Sequence, residues 1–177
     1  MMRNLTTDDF EEYYRVRLNS LQQYPVAYSS MPKFFIEASR EMHMKLLADS
    51  ASDSSLFVKG YFEEGKLLGI IGMLPETREC VDHKASMWGF YVDPDYQGKK
   101  IGTKLLRAFL TDAENDRRLR TVRLVVAVNS EAAISLFYKV GFEKYGQERD
   151  SIRDGETYFD QIYMQIDCSN GQSRRSN

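Results

Sequence analysis

The stretch from Ala85 to Ala113 most narrows what this chain can fold into. A β-rich run, Ala85 to Val92, carries the only tryptophan and stops at Asp93-Pro94. Gln97-Gly98-Lys99-Lys100-Ile101-Gly102 follows, and then Ile101, Leu105, Leu106, Phe109, Leu110 and Ala113 fall on one helical face. The order is strand, glycine loop, helix. A helix start presents unpaired backbone N–H groups and the positive end of the dipole, and glycines let an anion approach the backbone closely. The spacing fits neither a P-loop, which needs Gly-Lys-Ser/Thr, nor the dinucleotide fingerprint, which needs a third glycine. The plainer alternative is a tight strand-to-helix turn with no ligand. By themselves Lys99, Lys100, Lys104 and Arg107 read as a solvated helix face.

Around this unit the pattern is mixed α/β. From Thr7, Phe10, Tyr13, Tyr14, Arg17, Leu18 and Leu21 recur at helical spacing behind a Thr or Asp cap. Pro25 is expected to end that helix, leaving Gln22 to Pro32 as an aromatic-bearing loop before a second helix at roughly 33–48. Ser50 to Ser55 reads as a turn, not a linker. LFVKGYF and KLLGIIGML around EEGK give a hairpin. Thr121 to Asn129 is apolar on both alternating sets and is expected at the centre of the sheet. Glu131 to Val140 is a helix closed by Gly141, and the runs to Ile152 and from Tyr158 form a last hairpin about Asp154-Gly155. No internal repeat appears. The expected division is one domain over 1–168 and a mobile polar tail over 169–177.

The composition agrees with one compact domain: 177 residues, 42% hydrophobic and 28% charged. Lys+Arg 24 against Asp+Glu 26 gives no overall pull toward nucleic acid or anionic lipid, so any anion must be held locally. The longest apolar run, Leu124 to Val128, is far short of a membrane span, and no signal-like start is seen. Cys80 and Cys168 lack the spacing of a disulfide scaffold or a zinc site, so a reduced cytoplasmic setting without a bound metal is expected.

VDPDYQGKKIGTKLL and, further on, NSEAAISLFYKVGF occur in the order and separation of the GCN5-related N-acetyltransferase (GNAT) superfamily, which the chain resembles over most of its length. The first segment resembles the acetyl-CoA motif, with Gln97, Ile101 and Gly102 matching and Lys100 in the slot of the middle glycine. Lys100 still permits the loop if its φ is negative, and adds a cation. The resemblance implies that Phe90, Tyr91 and Val92 offer backbone groups to the pantetheine arm at a bulged strand. It further implies that Gly98, Lys99, Lys100, Ile101, Gly102 and Thr103 hold the pyrophosphate. It implies a single α/β (α+β) domain, with a mixed, mostly antiparallel sheet of six to seven strands flanked by helices. The sheet is expected to splay where Ala85–Val92 and Thr121–Asn129 run parallel, with the cofactor in the opening.

The implied reaction is transfer of acetyl from acetyl-CoA to a primary amine of a small molecule or peptide, by a monomer or homodimer with no nucleic-acid or membrane partner. The family tyrosine that protonates the leaving thiolate stands four residues before the Gly-Phe glycine, a slot that Phe137 fills here, with Tyr138 next to it. The family asparagine falls eleven residues before Gly141, at Ser130, with Asn129 one earlier. One inserted residue explains both shifts and makes Tyr138 the candidate acid; water is the alternative source of the proton. An ordinary aromatic pair at a helix–sheet contact is the bland reading of Phe137 and Tyr138. No base is evident: Glu76, Asp93, Glu131 and a water chain stay open, and His43 and His83 read as surface histidines. Trp88, Tyr24 and Tyr28 are candidates for walls of the acceptor pocket or for core. The rival from another class is a CoA-binding sensor or structural module that has the cleft without turnover.

Overall fold

The computed structural model describes residues 1–28, 31–52 and 55–169, so most of the expected tail lies outside the described residues. Seven strands form one sheet: β1 (Met2–Asn4), β2 (Phe57–Glu63), β3 (Lys66–Pro75), β4 (Lys84–Val92), β5 (Thr121–Ala127), β6 (Glu143–Asp154) and β7 (Thr157–Asp167). Their spatial order is β1-β2-β3-β4-β5-β7-β6, and every neighbouring pair is antiparallel except β4 with β5. As expected, β5 is interior. The β2–β3 hairpin turns at Glu64 and Gly65, whose φ values of 49° and 81° are those of a turn that matches strand twist.

Among the described residues there are six α-helices: α1 (Phe10–Gln23), α2 (Pro25–Tyr28), α3 (Pro32–Glu37), α4 (Arg40–Ser52), α5 (Ile101–Asn115) and α6 (Glu131–Lys139). Apolar residues of α5 and α6 pack with Phe57, Ile71, Met87 and Val122 on one face. Those of α1 and α4 pack with Val58, Ile70 and Tyr91 on the other. A sheet between two helical layers follows, because both faces of the strands carry apolar side chains.

Several local expectations need correction. The first helix begins with a 3-10 turn, Thr7–Asp9, where Asp9 accepts the Thr6 N–H at 2.9 Å and two bonds of 2.6 Å from Arg3. The expected second helix is two, broken at Ala38 and Ser39, because Ala38 has left helical backbone angles. The expected Ser50–Ser55 turn is helical through Ser52, and buried Ser50 accepts the Val58 N–H at 2.8 Å. His43 is no surface histidine. It is buried among Phe10, Tyr13, Tyr14 and Phe35, with Nε2 3.2 Å from the Phe35 carbonyl.

Candidate active site

The site begins with a failure of pairing. β4 and β5 are partners only from Lys84↔Thr121 to Ser86↔Arg123, after which the two edges part. β5 is held straight by β7 on its other side through Ala127↔Gln161. β4 bends at a bulge: Gly72 pairs with Trp88 and Ile70 with Tyr91, so Gly89 and Phe90 face the single residue Ile71. Gly89 accepts the bend at φ 64°. The opening is a cleft of about 1110 Å³ that reaches from the glycine loop past Val125 to Asp154 and Phe159 at the tip of the last hairpin.

At one end of the cleft lies the start of α5. Gly98 (φ 77°) turns the chain, and Lys100 takes the residue before the helix at φ 61°, ψ 16°. The expectation of a negative φ at Lys100 is therefore corrected. This left-handed conformation costs about 1–2 kcal/mol for a residue with a Cβ. No side chain caps α5, so its first N–H groups open toward the cleft at the positive end of the dipole. Gly102 permits the close packing: a Cβ there would stand 3.2 Å from the Phe90 ring.

The cleft brings together Phe90, Tyr91, Val92, Gln97, Gly98, Lys100, Ile101, Gly102, Thr103, Asn129 and Phe137, eleven of the residues picked out from sequence. Lys99 is outside it; its ammonium lies 4.6 Å from the Tyr96 ring centroid. Two β4 carbonyls already accept bonds, Phe90 from the Tyr28 hydroxyl at 2.6 Å and Val92 from the Gln97 amide at 3.2 Å. Each retains a second lone pair. Burial pushes the Tyr28 hydroxyl well above the ordinary phenol range and that of Tyr91 up to about 12, so both are neutral donors near neutrality.

Tyr138 is not part of the cleft. It is 49% exposed, whereas Phe137 is 3% exposed and stacks at 5.6 Å on Phe90. The end of α6 is pinned by its cap: Gly141 (φ 103°) donates to the Tyr138 carbonyl and Phe142 to the Phe137 carbonyl. A neighbour one position along is turned by about 100°, which takes the Tyr138 hydroxyl away.

Of the carboxylates weighed as bases, Glu76 is bound to Arg123 at 2.7 Å and Asp93 accepts the Asp95 N–H at 3.1 Å; neither lines the cleft. Glu131 does, and so does Asp154, which sequence reading treated only as a turn residue. Tyr24, Tyr28 and Trp88 also line the cleft. Among the described residues no cluster of three metal-ligating side chains occurs, and no helix is long and apolar enough to cross a membrane.

This geometry has counterparts in known proteins. An uncharacterized N-acetyltransferase of Methanocaldococcus jannaschii is 27% identical over 150 residues, covering 81% of this chain and 60% of that protein. The spermine/spermidine N(1)-acetyltransferase of Bacillus subtilis is 32% identical over 93 residues, 50% of this chain and 60% of that protein. The match thus spans less than two thirds of either relative. In fold, the chain superposes with a TM-score of 0.82 and 15% identity on yncA, a putative acetyltransferase from Salmonella typhimurium solved with its cofactor acetyl-CoA, covering 100% of this chain and 98% of that one. The model of the Acetyltransferase (GNAT) family matches residues 7–142, and the chain belongs to that family.

Proposed function

We propose that this chain transfers the acetyl group of acetyl-CoA to a primary amine of a small molecule or peptide. The observation that carries the reading is the meeting of an uncapped helix start with the unpaired edge of β4 in one cleft. Backbone N–H groups from Gly98 to Thr103 suit a pyrophosphate, and the β4 edge from Phe90 to Val92, which has no partner strand and whose bonded carbonyls keep a second lone pair, suits the amides of a pantetheine arm. The neutral amine attacks the thioester carbon, the new C–N bond forms as the C–S bond breaks, the amine nitrogen loses a proton and the thiolate gains one. Glu131 and Asp154 are the cleft carboxylates placed to draw in an ammonium and to accept its proton through water. The cleft is open to solvent and has no hydroxyl at Phe137, so water supplies the proton to the thiolate in this reading. The Bacillus relative, named for spermine and spermidine, is a precedent for a small amine as acceptor. Free thiols at Cys80 and Cys168 suit a reducing cytoplasmic setting.

The test is release of free CoA from acetyl-CoA across a panel of amines and peptide N-termini, with binding of acetyl-CoA followed separately by calorimetry. Binding with turnover supports the enzyme. Binding without turnover on any acceptor favours a CoA-sensing module, the reading that the apolar Phe137 slot would suit. Absence of binding at millimolar acetyl-CoA removes both.

A further inference from the structure

On the sheet face opposite α5 and α6, one cation stands without a counter-charge. Arg17 leaves α1 and lays its guanidinium between two aromatic rings, 4.7 Å from the Tyr28 centroid and 5.6 Å from that of Trp88. Its one described hydrogen bond is from Nη1 to Ser20 Oγ at 3.3 Å, and among the described residues no carboxylate pairs with it. Its neighbour on the same helix, Arg15, is by contrast forked onto Glu12 at 2.7 and 3.0 Å. Burial lowers the pKa of Arg17, as removing a cation from water without a paired anion must.

The position of this cation gives it a use. Arg17 stands behind the cleft wall and not among its lining residues: Tyr28, Trp88 and Gly89 line the cleft, and a Cβ at Gly89 would stand 3.9 Å from Arg17 Nη1. The bulge glycine thus leaves open the space between the guanidinium and the Phe90 backbone. The Trp88 indole is held at that spot because it lies on Gly72, where any Cβ would meet it at 2.3 Å. A guanidinium with most of its five N–H groups unused, lying close to two aromatic rings, matches a planar two-oxygen anion.

We infer that the acceptor is a free α-amino acid whose carboxylate is held by Arg17; this rests on the acetyl-transfer reading above. An α-amine is two bonds from its carboxylate carbon, so seating the carboxylate at Arg17 sets the amine against the bulge at Phe90. A polyamine has no anion for Arg17, and a peptide N-terminus has an amide in its place. Glu131 and Asp154 give the cleft the negative charge that the ammonium end of such a zwitterion requires.

Initial rates of CoA release are compared for a set of amino acids, the same amino acids as C-terminal amides, and spermidine. The free acids should exceed the amides and spermidine at least about 30-fold in kcat/KM, the range expected for losing one charge-assisted fork. Arg17→Met should raise KM for the acids by a similar factor, leave the rates with the amides within about threefold, and keep the thermal shift given by acetyl-CoA. Arg17→Lys, which retains charge but not the fork, should fall between and serves if the methionine variant does not fold. Amides or spermidine turning over as well as free acids would overturn the inference while leaving acetyl transfer in place. So would an acid preference that survives both substitutions. Acetyl-CoA binding with no acceptor in any class would overturn the transfer reading and this inference with it.

Discussion

Phe142 returns to Phe137 twice: its backbone N–H donates to the Phe137 carbonyl at 3.0 Å, and the two rings stand 5.8 Å apart. The polar and apolar halves of one helix cap therefore fix which aromatic side chain of α6 enters the fold. Phe137→Ala should cost about 3–4 kcal/mol of unfolding free energy in denaturant titration, as for other buried phenylalanines. Tyr138→Ala should stay within about 0.5 kcal/mol, the range of exposed positions. Equal losses at the two sites would contradict this assignment of faces.

The same geometry sets expectations for turnover. Tyr138→Phe should leave kcat within about twofold, because a hydroxyl outside the cleft cannot deliver a proton to the sulfur. A drop of tenfold or more, at unchanged acetyl-CoA affinity, would show that Tyr138 reaches the reacting atoms in the complex.

Lys100 and Gly98 provide a paired test of the loop. Lys100→Gly should raise stability by about 0.5–1 kcal/mol, relief of the left-handed conformation being partly offset by the freedom glycine adds to the unfolded chain. Gly98→Val, forced to φ 77°, should lose stability and weaken acetyl-CoA binding about tenfold. Lys99→Ala, removing a solvated charge stacked on Tyr96, should change binding by less than about threefold. Calorimetry on the three variants measures all these effects, and a larger loss at Lys99 than at Gly98 would make the lysine the anion holder.

Acid should loosen the N-terminal corner. The Arg3 guanidinium holds the Asp9 carboxyl below the usual carboxylate range. A folded-state pKa below the unfolded one contributes stability that is fully present above the unfolded value and is lost as pH falls through the folded one. Wild type should therefore melt above Asp9→Asn at neutral pH, and the gap should close in thermal scans below about pH 4. A gap that persists in acid would mean that shape, not charge, makes the contact.

The sequence was most legible where function and local backbone coincide. The loop from Gln97 to Gly102, the apolar face of α5 and the Glu64-Gly65 turn each depend on residues a few positions apart. What it left hidden was built by long-range contact. Arg17, Tyr28 and Trp88 meet although they lie on α1, α2 and β4, and none of them signals the others. Asp154 reaches the cleft only because β6 and β7 are long. His43 reads as polar in a weakly patterned helix and is buried because four aromatic rings converge on it. Spacing alone could not say that Tyr138 faces away from the cleft, since spacing counts residues and the cap at Gly141 decides rotation.

The parting of β4 from β5 also bears on solubility. An open sheet edge ordinarily invites another chain to add a strand. Here two such edges face one another across a widening gap, and a strand needs neighbours about 4.8 Å away. A strand set beside β4 would leave the edge of β5 unmet, and one set beside β5 would leave that of β4. The wedge therefore lets an added strand satisfy only one of its two edges, whereas a thinner molecule with sparse amides can bond along β4 without having to bridge the gap.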